Sequence, residues 1–539
     1  MTITTADLPV QRPATRPGRA ALTFTLTPLA LAALLLSNDC RAQWRVTPSV
    51  QARETYSDNV NNQPDESARG SFVSEIAPAI SVTGRTPRLR VTANAEVRKY
   101  AYSNNDTGNV RDSDRRYAAN AQAVAVKEWL YVDANASGSR QAVSAFGPVP
   151  NGSYAANNGT NIRTWSLSPY LRHSFGTTAG LTARFTRDAV EGGSGVGFGN
   201  SMNSTRAVDL QSGPRFTDLG WNVHYSHQDL SSQNTGDTIA ENSLVGLNYR
   251  VHQHLTLTTS AGYDKYEYNV LGADVPAGTT LSQDNRGRSW TAGFIWAPSA
   301  RTRLQASAGR RYFGKTGALD ASYRTRQTTW TLTYADNVTT TRSQFMLPAA
   351  IDTAAMLDSL FKTQFPDPLV RQQAVQAYLA LSGLPPSIAN PINFLSNRYM
   401  RNKRLQGSVL FKGARSSALV SVFKERMMAL SLQQEDSALL PSQLSSLNDD
   451  TDQRGVNGTF DYRLSSRTSA HASLYAVNAL SLRTGIDNRI RQLSTGLTTH
   501  FSQKMTGTLE LRHSKGRAGI FDNRDYHENA VVAALSVQY

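Results

Sequence analysis

Apolar and polar residues alternate one by one along this chain, in runs of about ten separated by turn-forming segments, from Trp44 to the last residue, Tyr539. Between 88 and 98, Leu89, Val91, Ala93, Ala95 and Val97 share one face, while Arg88, Arg90, Thr92, Asn94, Glu96 and Arg98 share the other. That is the period of two of a β-strand. The same split sets Leu304, Ala306 and Ala308 against Arg301, Arg303, Gln305 and Ser307, and Leu509 and Leu511 against Thr508, Glu510 and Arg512. One face suits lipid and the other suits water. Trp290 and Trp296 flank Ala292 and Phe294 on a single face, placing aromatics near both ends of a strand, as membrane interfaces favour. The final strand aligns Val531, Ala533, Leu535, Val537 and Tyr539, the aromatic-ended signature that an outer-membrane barrel presents to its assembly machinery.

The expected fold is therefore all-β, a transmembrane antiparallel β-barrel of about 22 strands with a small α-helical insert. Short links at 83–87, 127–128, 297–300, 412–415 and 502–504 alternate with long polar ones near 58–70, 102–114, 138–160, 188–202, 229–240, 269–287 and 430–453. Short turns belong to the periplasmic side of this class and long loops to the exterior, so both termini are expected in the periplasm. Antiparallel closure with both ends on one side needs an even strand number, and a strand at 338–347 is included partly on that ground.

The insert, 346–399, breaks the rhythm. Ile351, Ala355, Leu357 and Leu360 follow helical spacing, Pro366-Asp367-Pro368 starts a second helix, and Val370, Ala374, Tyr378 and Leu381 continue it until Gly383 and Pro385-Pro386. A lid or plug, a partner's docking site and a self-packed loop are all compatible with that pattern.

At the start of the chain, Arg12, Arg16 and Arg19 precede an uncharged run from Ala20 to Ser37, and Cys40-Arg41-Ala42 offers small residues where a signal peptidase reads. Residues 1–42 are expected to be a signal peptide and 43–539 the barrel. Pro28 interrupts the run, which falls short of the ~20 residues a spanning helix needs. Lipidation of Cys40 fits poorly with Ser37-Asn38-Asp39 before it. Cys40 is the only cysteine, so the expected mature chain has neither disulfides nor thiolate metal sites. A plug-bearing TonB-dependent transporter is disfavoured, because the first strand begins almost at the cleavage site.

The first strands carry a further signal. Trp44, Val46-Thr47-Pro48-Ser49-Val50, Glu54-Thr55-Tyr56-Ser57-Asp58-Asn59-Val60, Ile76-Ala77-Pro78-Ala79-Ile80-Ser81-Val82-Thr83-Gly84 and Arg88-Leu89-Arg90 resemble the outer-membrane proteins associated with PEP-CTERM and exosortase systems. The resemblance covers roughly 44–98, and Ala79 stands where that family is expected to have glycine. It implies a Gram-negative outer-membrane barrel in a system that sorts exported proteins and accompanies exopolysaccharide production, and it supplies no catalytic residues.

Charge sharpens the picture. The chain carries +15, and without 1–42, which hold four arginines and two aspartates, it keeps +13; 46 of its 56 basic residues are arginine, whose planar fork suits carboxylates and phosphates. Alternation points Arg88, Arg90, Arg98, Arg250, Arg301, Arg303, Arg311, Arg404, Arg463 and Arg512 into the lumen, with Glu96, Asp461 and Glu510 as the acids among them. Either that lining guides anions or it pairs across strands to stiffen the wall.

Other motifs carry less. Gly195-Val196-Gly197-Phe198-Gly199 lacks the strand-then-helix setting of a phosphate loop, and the Asp/Asn-rich loops at 58–66 and 104–114 read as solvated. His224, His254, His471, His500, His513 and His527 show neither metal-ligand spacing nor a nucleophile-elbow serine, so no enzyme, metal or cofactor is expected. Basic residues do not cluster on a nucleic-acid recognition element. The sharpest expectation is a monomeric, passive, porin-like pore linked to transport of an anionic exopolysaccharide, with outer-membrane lipid, the assembly machinery and periplasmic export components as partners. A non-conducting scaffold barrel and an outer-membrane hydrolase are the competing readings.

Overall fold

In a computed structural model the strand-sized phrases become one continuous sheet that closes on itself. The structure describes residues 43–539 except 105, 107, 109, 143, 148–153, 155–158, 193–199, 233–235, 269–285, 341, 343–350, 353–356, 358–386, 389–398, 431–445 and 518–523. The expected signal peptide and the glycine-rich 195–199 lie outside the described residues.

The strands run β1 Gln43–Ser57, β2 Ser71–Arg85, β3 Leu89–Tyr102, β4 Ser113–Val126, β5 Leu130–Ala142, β6 Gly159–Phe175, β7 Ala179–Gly192 and β8 Ser201–Ser212. They continue as β9 Leu219–Ser232, β10 Gly236–His252, β11 Leu255–Tyr268, β12 Arg286–Ser299, β13 Thr302–Arg311, β14 Gly314–Arg324 and β15 Thr328–Thr340. A two-residue pair follows, β16 Ile351–Asp352 with β17 Ser387–Ile388, outside the main sheet. The wall resumes as β18 Tyr399–Lys412, β19 Ser416–Ala429, β20 Asp450–Arg463, β21 Thr468–Ser481, β22 Asp487–His500, β23 Met505–Arg517 and β24 Asp525–Gln538.

The closed sheet holds 22 strands, each antiparallel to its sequence neighbour, and β1 pairs with β24 from Ser49↔Gln538 to Ser57↔Ala530. Closure removes the edges that a membrane would leave unpaired. With strands about 4.8 Å apart and tilted about 40°, an ideal circular barrel of 22 strands would be roughly 40 Å across; contacts of Arg342 with Ser201 and of Asn488 with Ala145 draw distant strands closer together than that. Among the described residues no helix is long and apolar enough to cross a membrane.

The period of two places the side chains as expected. Leu509 and Leu511 are 52% and 55% exposed, as are Trp290 at 54% and Val531 at 45%, and all face outward. On the opposite row mostly polar side chains look inward, with apolar exceptions such as Leu410, Leu419, Phe423 and Met427. The expected strand at 338–347 is corrected: Val338–Thr340 form the end of β15, which pairs directly with β18 from Thr328↔Phe411 to Thr340↔Tyr399. The expected helices of 346–399 fall almost wholly outside the described residues. The chain leaves β15 and re-enters β18 at the long-loop end. There, not every connection is long, since Tyr312 and Phe313 alone join β13 to β14.

Candidate functional site

The lumen is the candidate site, because it gathers charged side chains from strands distant in sequence. Arg90, Arg98, Arg250, Arg303, Arg311, Arg404, Arg463 and Arg512 occupy inward strand positions, as the alternation requires. Arg88 and Arg301 do not. They lie in the turns before Leu89 and Thr302, where the strands have not begun, and so belong to the mouth and not to the wall.

Toward the long-loop end the arginines are paired. Arg311 makes a two-pronged contact with Asp264, Nε to Oδ2 and Nη2 to Oδ1, both 2.9 Å. Arg512 Nη2 donates to Glu528 Oε1 at 2.9 Å, and the Ser57 hydroxyl donates to the same oxygen at 2.8 Å. Arg98 bonds Glu96 and lies 3.6 Å from Glu75. Arg404 donates to Gln406 at 2.6 Å and stands opposite Glu425. Cross-strand pairing of this kind stiffens the wall, which is the stabilising alternative that the sequence left open.

The short-turn end is different. Arg90 and Arg463 lie within two residues of that end of their strands and Arg250 near it, joined there by Arg45 and Arg85 on inward positions. None of these five has a side-chain hydrogen bond or ion pair among the described residues, and Arg85 stands directly opposite Arg90. Arg88, Arg215, Arg301, Arg326, Arg415, Arg467 and Lys504 occupy the turns beside them. That mouth is rich in arginines without ion-pair partners, although Asp218 and Glu128 lie in turns at the same end and Asp461 is two residues before Arg463.

At the opposite mouth a loop packs against the inner wall. The connection from β5 to β6 folds inward, burying Ala145 and Phe146 against Met400, Phe423, Met427, Leu447, Val477 and Ile490. Asn488 fixes it by donating to the carbonyls of Ala145 and Gly147 at 3.0 and 3.2 Å. Farther along the same connection, the Tyr154 hydroxyl donates to Thr55 on β1 at 2.9 Å, and its ring packs near Tyr100 and Tyr102. Burial pushes the Tyr154 hydroxyl's pKa up, which keeps it a neutral donor. One connection thus touches walls on two sides.

A second inward contact comes just after β15. Arg342 reaches Ser201 at 2.9 Å and the carbonyl of Asp188 at 3.0 Å, and pairs with the Asp188 carboxylate. Asp188 and Ser201 lie on β7 and β8, so this contact ties the end of β15 to those strands. In the 58–66 loop, expected to be solvated, residues 59–62 and 64 are buried while Asp65 and Glu66 stay exposed; Asn59 is 1% exposed and donates to His527 O at 2.8 Å.

Sequence reading missed Phe146, Tyr154, Asn488, Arg342 and Asp188. The available signal was small, an apolar Ala145-Phe146 pair inside a polar loop. The histidines scatter: His224 pairs with Asp209 at 2.6 Å and His471 approaches Glu510 at 3.5 Å, while no metal-holding group of three occurs among the described residues. The C-terminal row Val531, Ala533, Leu535, Val537 and Tyr539 faces outward beside the β1–β24 seam, where Tyr539 N donates to Pro48 O at 3.0 Å.

No protein-family model and no curated protein matches the sequence. Among solved structures, the FrpB iron transporter from Neisseria meningitidis is similar at 9% identity over 92% of this chain and 81% of that one, with a TM-score of 0.46. The siderophore receptor PirA from Pseudomonas aeruginosa is similar at 10% identity over 92% and 80%, with a TM-score of 0.36. A mutant of the ferric enterobactin receptor PfeA from Pseudomonas aeruginosa gives 10% over 92% and 80%, at 0.43. The barrel itself rests on the closed strand ladder described above.

Proposed function

We propose that this protein is a conduit in the Gram-negative outer membrane, acting in a PEP-CTERM/exosortase setting and passing an acidic exopolysaccharide outward. The short-turn end faces the periplasm and the long loops face the exterior. Its directional lumen carries the reading: free arginines gather at the periplasmic mouth, where an anionic polymer would arrive, and loops close the exterior mouth until they are displaced. A 22-strand cylinder is wide enough for a polymer once its plug moves. Transport is passive, driven from the periplasmic side by export components. The chain works as a monomer, delivered by a signal peptide and inserted by the barrel assembly machinery.

Reconstitution in planar bilayers tests this reading together with polymer secretion from a deletion strain. Anion-selective conductance after removal of 143–158, with lost secretion in the deletion strain, is the expected result. Cation preference with normal secretion would remove both supports. The packed exterior plug favours a second reading, a scaffold barrel that conducts nothing; a loop-deleted barrel that stays folded and silent would establish it.

A further inference from the structure

The outer wall holds a feature that transport through the lumen does not use. On the outward face, Arg310 of β13 stands directly opposite Lys315 of β14, Lys403 of β18 opposite Arg426 of β19, and Lys424 of β19 opposite Arg454 of β20. Each pair lies just beyond the lipid-facing row, on the long-loop side: Arg310 follows Leu304, Ala306 and Ala308, Lys403 precedes the exposed Leu405, and Lys424 follows the exposed Val420 and Val422. Side chains directly opposite in an antiparallel ladder stand about 5 Å apart at Cβ, where like charges destabilise the sheet.

Acids answer only part of this charge. Arg426 is held by Asp450, Lys424 lies 3.8 Å from Asp452, and Asp336, directly opposite Lys403, is taken up by a two-pronged contact with Arg401 at 2.8 and 2.7 Å. Arg310, Lys315, Lys403 and Arg454 have no side-chain hydrogen bond or ion pair among the described residues. Beside a membrane the screening that water gives such cations is reduced, so the repulsion calls for an anion.

We propose that the outward face of β13–β20 binds the phosphorylated headgroup of a lipid in the leaflet at the long-loop end. The position selects an amphiphile. The patch continues directly from the apolar belt, so an occupant must present acyl chains below and negative charge above, which a soluble polyanion does not. Phosphate matches both arginine's fork and lysine's point charge. Only the identity of the leaflet rests on the proposed outer-membrane setting, and binding in detergent is measured independently of conduction.

Native mass spectrometry of the barrel in a neutral detergent tests the site with diphosphorylated lipid A, the same acylated disaccharide without phosphate, and inorganic phosphate. The expected result is retention of the phosphorylated lipid alone, falling about tenfold or more in the Lys315→Gln/Lys403→Gln/Arg454→Gln variant. A second variant needs no lipid: Lys315→Glu turns a repelling pair into an attracting one and is expected to raise the unfolding temperature in lipid-free detergent. Equal retention by wild type and the triple variant would overturn the proposal, as would equal retention of the phosphate-free lipid or a Lys315→Glu barrel no more stable than wild type. Inorganic phosphate stabilising the barrel as well as the lipid does would show a free-anion site and equally refute the lipid.

Discussion

Replacing Phe146 with alanine separates the plug from the wall. Its ring is 1% exposed among Met400, Phe423, Met427, Val477 and Ile490, all on inward strand positions. Loss of a buried phenylalanine ring costs about 3–5 kcal/mol. Here that cost falls on the docked loop alone, because every wall residue keeps its ladder partners. The docking equilibrium should shift toward the open state by roughly 10²- to 10³-fold. Planar-bilayer recordings would show long openings in Phe146→Ala where wild type opens rarely, while heat-modifiable electrophoretic mobility stays that of a folded barrel. A folded Phe146→Ala barrel with wild-type opening frequency would refute the plug, since the lost packing would then hold nothing across the lumen.

Three further outcomes follow from the same geometry. Asn488→Ala removes two hydrogen bonds to the loop carbonyls, worth about 1 kcal/mol each, and should raise opening frequency about tenfold, less than Phe146→Ala in the same recordings. Neutralising Arg90, Arg250 and Arg463 to glutamine should move the reversal potential in a salt gradient toward non-selectivity without changing stability, whereas Arg311→Gln strands the fully buried Asp264 and should cost about 3–5 kcal/mol in urea unfolding. Deleting Tyr539 removes the aromatic end of the outward row and one seam hydrogen bond; the fraction of heat-modifiable barrel in membranes should drop.

The wall was legible in the sequence, because a strand's two faces are written locally. Leu89 to Val97 and Leu509 with Leu511 announce an outward apolar row by their spacing alone. Inward arginines followed from the same parity, and only Arg88 and Arg301 slipped, each by falling one residue short of its strand. What those arginines do was not legible. Arg311 meets Asp264 from 47 residues away, Arg342 meets Ser201 from 141, and Asn488 holds Ala145 from 343. Period two says which way a side chain points, but the partner across the ladder or across the lumen depends on register and on how loops fill a wide cylinder. Sequence by itself therefore determined a lipid-facing barrel with a basic interior. Tertiary structure decided which of its arginines find acidic partners and that the β5–β6 connection packs against the inner wall, since both are contacts between segments that alternation leaves unconnected.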